Sequence, residues 1–213
     1  MKNNILHLIQ KDIDNYVKNF SIYDLRARKC STKTEYINKC LQDFNVSLTD
    51  AKFCKQRLDK AIPQADIKLS KICREFQNIN WDITLFVGKY YEGGVSHTRF
   101  NTIFLPLRVF ENYTDMELIR LLCHEKIHLF QRMYPEHDLI KSYMKNFIKY
   151  VPIRTFSEYS RSNPDTDGFT YKNKDGQIMC CLYRSCYPSY INDVTYLASY
   201  EHPFEQMAIE WSL

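Results

Sequence analysis

Apolar positions recur with helical spacing through the first third of the chain, the pattern of helices with one buried face. Ile5, Leu6, Ile9, Ile13 and Tyr16 form the first stripe, and Tyr36, Ile37, Cys40 and Leu41 a second. Ser47 or Thr49 caps a third helix that buries Phe53, Leu58 and Ile62 and is interrupted at Pro63. Leu69, Ile72, Cys73 and Phe76 predict a fourth. Near Asn80 the period drops to that of a strand. Trp81, Ile83, Leu85 and Val87 alternate, Glu92-Gly93-Gly94 marks a turn, and a second strand is expected over 98–105 until Pro106 ends it. Helical spacing returns with Leu118, Leu121, Leu122, Ile127 and Phe130, between a Thr114-x-x-Glu117 capping box and Pro135. Leu139, Ile140, Tyr143 and Phe147 predict another helix over 137–150. Residues 153–198 are polar and aromatic, with a turn at 162–165 and a hairpin closed by Asp175-Gly176. A short helix over about 202–211 completes the pattern. The expected class is α+β, with a helical region at 1–76 and a mixed domain at 77–213.

Composition narrows the function classes. The 213 residues are 45% hydrophobic and 25% charged, enough for one sizeable core or a core with a smaller appended unit. A net charge of +4, with no Lys/Arg block, does not imply nucleic acid as a partner. The first residues, MKNNILHLIQKDIDNY, lack a long apolar segment, and no run approaches the ~18 apolar residues of a membrane span. A cytoplasmic chain without a membrane partner is the expectation. The 8 cysteines are then read as reduced and mostly buried, and with no CxxC pair among them a cysteine zinc site is not expected.

The chemistry concentrates in LLCHEKIHLFQRMYP, residues 121–135. His124 and His128 are four apart on a helix, so both imidazoles lie on one face and reach one metal ion. Glu125 falls about 100° round from His124 and about 60° from His128 at 3.6 residues per turn. It stands beside the metal without taking a ligand position. This arrangement suits Zn²⁺, one per chain, and a carboxylate base that takes a proton from water. Gln131, one turn beyond His128, is placed either to hydrogen-bond nearby backbone or to face solvent, and Cys123 to pack.

HEKIH on a helix, followed by a glutamate on a later helix, resembles the zincin metallopeptidases and specifically their gluzincin branch. HEKIHLFQ is similar to the HExxHxxQ signature of several zincin-like families, and HTRFNTIFLP stands where those families place a strand. The resemblance covers about residues 80–135 and 199–210. It implies a small sheet over the motif helix, with an edge strand at 101–105 that pairs with a peptide or protein substrate through Asn101, Thr102, Ile103 and Phe104. It also implies a glutamate as third metal ligand. Glu201, Glu205 and Glu210 are the candidates. Glu205 is preferred, because Glu201 precedes Pro203, Glu210 points about 140° away on a helix, and Ala208 permits close helix approach. Many relatives carry Asp where this chain has Ile209, so a carboxylate orienting one histidine must come from elsewhere, with Asp193 as candidate. Tyr196, Tyr200, His202 and Arg161 are candidate oxyanion donors. The implied activity is zinc-dependent peptide-bond hydrolysis with Glu125 as general base. The alternative is a zincin fold kept as an inactive binding or regulatory module. The N-terminal helices carry no identifiable chemistry and offer a surface for a protein partner.

Overall fold

Both ends of the motif helix form as the local signals dictate in the computed structural model, which describes residues 2–213. The chain runs α1 (Lys2–Lys11), α2 (Ile22–Ala27), α3 (Lys33–Gln42), α4 (Leu48–Ser70), β1 (Ile83–Phe86), β2 (His97–Arg99) and β3 (Thr102–Pro106). It continues as α5 (Leu107–Asn112), α6 (Asp115–Met133), α7 (Asp138–Met144), β4 (Ile148–Pro152) and α8 (Ile153–Phe156). Then come β5 (Phe169–Lys172), β6 (Ile178–Met179), β7 (Cys181–Tyr183), β8 (Val194–Tyr196) and α9 (Pro203–Ser212). The class is α+β. No helix among the described residues is long and apolar enough to cross a membrane.

Contacts divide the chain into two units. One holds the chain up to Gln42 together with His137–Gln206; the other holds Asp43–Glu136 and Met207–Leu213. This differs from the boundary expected at residue 76, because α4 belongs with the motif helix rather than with the helices before it.

In the second unit α4 packs along α6. Ala61, Ala65 and Leu69 of α4 are fully buried, as are Leu118, Leu122, Ile127 and Phe130 of α6. The small side chains of α4 let the two backbones approach, and the Cys123 thiol lies 3.9 Å from the Ala65 carbonyl. Burial pushes the pKa of that thiol up to about 11, so it stays protonated and packs as an apolar group. Lys126 is buried at the same interface. Its Nζ lies 2.9 Å from Asp66 Oδ1 and 4.0 Å from the centre of the Trp81 ring, and Trp81 Nε1 donates to the same carboxylate at 3.0 Å. Desolvation lowers the Lys126 pKa, and the Asp66 carboxylate offsets part of that cost.

The sheet of this unit has strand order β1-β3-β2, with β1 parallel and β2 antiparallel to β3. Phe44, Phe86, Tyr91, His97 and Phe104 form an aromatic cluster on it. Asp43 fixes the loop after β1 by accepting the Tyr90 and Tyr91 amides at 2.6 and 2.7 Å. Gly94 closes that loop at φ +77°, and a Cβ there would sit 2.5 Å from the Gly88 carbonyl oxygen, so only glycine fits.

Several sequence expectations change here. Pro63 does not interrupt its helix; α4 runs unbroken for 23 residues through it. Pro63 is exposed, and so is Asp59, the residue whose carbonyl a proline at 63 cannot pair with. Ser47, not Thr49, is the cap, and Phe53 faces solvent while Cys54 takes the buried position. The strand expected over 98–105 is two strands joined by a tight turn, with Phe100 at φ 56°. The helix expected to reach residue 150 stops at Met144, and β4 follows.

The first unit contains a three-stranded sheet, β4-β5-β6, and the β7-β8 pair. The Asp175-Gly176 turn joins β5 to β6 as expected, with Tyr171 opposite Met179. The anchor of this unit is the fully buried Asp24 of α2. Its carboxylate accepts from Ser162 N at 2.9 Å and Tyr183 Oη at 3.0 Å, and it pairs with Arg28 and Arg154. α2 is thereby fastened to α8, to the loop at Ser162 and to β7, all more than a hundred residues away in sequence.

Candidate metal centre

The motif helix is fixed before its histidines are reached. Thr114 Oγ1 accepts from Glu117 N at 3.3 Å, and Glu117 Oε2 accepts from Thr114 N at 2.8 Å, closing the capping box. Leu118, Leu122 and Ile127 then hold one face in the core. What remains partly open is the face carrying His124, which is half-buried beside the buried Glu125 and His128.

The two imidazoles turn toward each other. Their Nε2 atoms are 3.1 Å apart, with ring centres 4.7 Å apart and planes at 81°. Two Zn–N bonds of ~2.0–2.1 Å meeting at a tetrahedral angle would separate their nitrogens by about 3.3 Å. The pair is therefore spaced for one shared ion of this kind.

Gln131 does more than its sequence position suggested. It is buried, and its Oε1 lies 2.9 Å from His128 Nδ1 rather than on the backbone. With the amide oxygen as acceptor, Nδ1 carries the proton and Nε2 is the unprotonated nitrogen, the form in which a histidine binds a metal. The signal was present in the sequence as the third residue after His128, the spacing at which helical side chains meet. Asp193, the carboxylate considered for this role, instead accepts from the Ser189 amide at 3.2 Å and closes its own loop.

α9 is one unbroken helix that belongs to the second unit from Met207 onward, where Met207 and Ala208 are fully buried. Glu205 stands on its first turn. His124, His128 and Glu205 each offer one ligand atom, and these atoms lie within 4.8 Å of one another. The other two candidate glutamates are placed differently. Glu201 Oε1 accepts from Asn163 Nδ2 at 2.8 Å and pairs with Arg161, while its Oε2 accepts from the Cys181 thiol at 2.7 Å. Glu210 is exposed. Asn163 also donates to Glu205 Oε1 at 2.6 Å, so one amide group holds both carboxylates. Sequence reasoning missed Asn163, which lies in a polar loop without periodicity.

An open cleft of ≈ 440 Å³ runs along the exposed side of α6. Its lining includes Val95, Ser96, Glu117, Leu121, His124 and Glu125. The proposed base and one proposed ligand thus share a single concave surface, large enough for several side chains of a peptide.

One set of expected residues is corrected. Asn101, Thr102, Ile103 and Phe104 do not form an edge strand. β3 is the central strand, bonded to β1 on one side and β2 on the other, and Ile103 and Phe104 are fully buried. Its backbone groups are already paired, so no substrate strand can add there. Asn101 lies in the turn before it. The backbone beside the cleft is instead the approach to β2, at Val95 and Ser96. Among the oxyanion candidates, Arg161 is committed to Glu201 and to Asn192 Oδ1 at 2.7 Å. Burial lowers the Arg161 pKa, but Glu201 outweighs it and holds the guanidinium firmly charged. His202 is buried with Nε2 3.0 Å from Asp167 Oδ1 and Nδ1 accepting from Phe204 N. Tyr196, on β8, is half exposed, and Tyr200 lies in the loop before α9. No family model, curated protein or solved structure matches this chain.

Proposed function

We propose that this protein is a zinc-dependent peptidase of gluzincin type, acting on a peptide or protein substrate, with His124, His128 and Glu205 as ligands and Glu125 as general base. The observation that carries the reading is the facing pair of Nε2 atoms, 3.1 Å apart, on the helix whose buried glutamate lines the cleft. A purely structural metal site has no use for such a glutamate.

The chain's own groups divide the work. Gln131 keeps His128 in the tautomer that leaves Nε2 available, and Asn163 holds one oxygen of Glu205 so that the other can face a cation. When bound, Zn²⁺ would polarise the scissile carbonyl and acidify the attacking water. Glu125 takes the proton from that water and hands it to the leaving amine nitrogen. Its burial strengthens this role by excluding competing solvent.

The test combines metal analysis with digestion of a general peptide library. The expected result is about one zinc per chain, lost in His124→Ala and His128→Ala. Library cleavage should fall at least ~10²-fold in Glu125→Gln, which keeps the metal. A protein that takes up no zinc, or cleavage equal in Glu125→Gln, would overturn the reading.

A further inference from the structure

The cleft that carries His124 and Glu125 is also lined by two arginines, Arg108 and Arg120. Arg120 is on α6, four residues before His124 and thus on the same helical face. At 1.5 Å per residue it stands about 6 Å along the axis from that histidine, a distance spanned by about two residues of extended peptide. Arg108 comes from α5 and reaches the loop before β2, where its Cζ lies 3.4 Å from the position a Cβ on Gly94 would occupy. The glycine leaves room for the guanidinium.

Neither arginine forms an ion pair or hydrogen bond among the described residues. The carboxylate nearest in sequence to Arg120 is Glu117, and its Oε2 is occupied by the Thr114 amide and hydroxyl at 2.8 Å each. Those bonds, the amide first, hold the Glu117 pKa below its usual range, and the Arg120 charge adds to them. The helix cap holds one oxygen of this acid, and neither oxygen forms an ion pair with Arg120. Two guanidinium groups therefore face the cleft with their donors available, and guanidinium recognises carboxylate through paired N–H donors.

We propose that these arginines select a carboxylate in the substrate, within about two residues of the cleaved bond. This rests on the peptidase reading for the bond cleaved, but the selection itself is a property of the cleft. A carboxylate fits better than a phosphate group, because Glu117 and Glu125 share the lining and repel a dianion more than a monoanion. The carboxylate comes either from an aspartate or glutamate side chain or from a free C-terminus.

The experiment uses zinc-loaded full-length Glu125→Gln protein and fluorescein-labelled decapeptides read by anisotropy. One series moves a single glutamate along the peptide, with glutamine at the same position as control. A second compares the free acid with the C-terminal amide. At one position, or at the terminus, the carboxylate should bind about tenfold more tightly than its neutral counterpart, and the preference should vanish in Arg108→Gln or Arg120→Gln. The position of the effect distinguishes side chain from terminus. Equal binding of charged and neutral peptides, a preference that survives both substitutions, or tighter binding of phosphoserine than glutamate overturns the proposal. Digestion of the same peptides by the parent protein separates the two readings. Selection without cleavage keeps the carboxylate site and removes the peptidase, whereas cleavage without selection does the reverse.

Discussion

Gln131 is the residue through which the metal-centre reading can be tested most sharply without touching a ligand. In Gln131→Leu the side chain keeps similar volume and stays in a buried position, but the acceptor 2.9 Å from His128 Nδ1 is gone. A buried N–H without its partner costs ~1–3 kcal/mol. That cost falls unequally on the two states. The metal-bound imidazole must keep its proton on Nδ1, because Nε2 is the ligand atom. The metal-free imidazole can move the proton to Nε2, which faces His124 Nε2 at 3.1 Å and finds an acceptor there. The difference therefore appears as lost metal affinity, about 10- to 100-fold, the range for a residue that orients a metal-bound histidine. Gln131→Glu keeps the acceptor and makes it anionic, so it should bind zinc at least as tightly as the parent while losing some folding stability to the buried charge. Competitive zinc titration against a chromophoric chelator measures both, with far-UV circular dichroism as the check on folding. If Gln131→Leu folds normally and binds zinc like the parent, then the Gln131 hydrogen bond does not orient His128 for a metal and the tautomer argument fails.

Three further outcomes follow from the same structure. Asp66→Ala should cost ~2–3 kcal/mol in urea unfolding, less than for a fully buried pair because Asp66 is 42% exposed, whereas Lys126→Met should cost under ~1 kcal/mol; equal costs would refute the charge-pair account. The Asp167 pKa lies below the ordinary carboxylate range although burial acts to raise it, because the His202, Lys149 and Tyr171 hydrogen bonds outweigh burial. That stability is present above the unfolded carboxylate pKa of ~3.9 and is lost as pH falls through the lower folded value. His202→Gln should therefore flatten the acid limb of stability below about pH 4, and an unchanged limb would show that the pair contributes nothing. Deleting residues 1–76 should yield insoluble, metal-free protein, since it removes α4 with its buried Ala61, Ala65 and Leu69; a soluble zinc-binding fragment would show that α6 does not depend on α4.

What the sequence disclosed is what is encoded within a few residues of itself. The Thr114–Glu117 box, the His124–His128 spacing and the Asp175-Gly176 turn are each settled by neighbours three or four positions away, and each forms as expected. Gln131 belongs to the same class, and the HExxHxxQ pattern already contained it, though its partner was misjudged. Glu205 stands on the first turn of the short helix that Pro203 predicts.

The errors are non-local. The run from Thr98 to Leu105 reads as one strand because its apolar content is continuous; only pairing with β1 and β2 makes Phe100 a turn and β3 the centre of the sheet. No local pattern states strand order, so the substrate strand was placed on a backbone that was already fully bonded. Pro63 reads as a breaker, yet the helix continues through it on its exposed side, where Asp59 and Pro63 are both exposed. The same logic separates Glu117 from Arg108 and Arg120. By type all three are exposed charged residues, and sequence treats them alike. Structure shows the acid held by its own helix cap and the two bases facing a cleft that contains a buried carboxylate and an open histidine. A charge whose partner lies within its own helix serves folding. A charge with no ion pair or hydrogen bond among the described residues, beside Glu125, is the kind that serves recognition, and this is why substrate selection is proposed for the arginines rather than for the more numerous tyrosines.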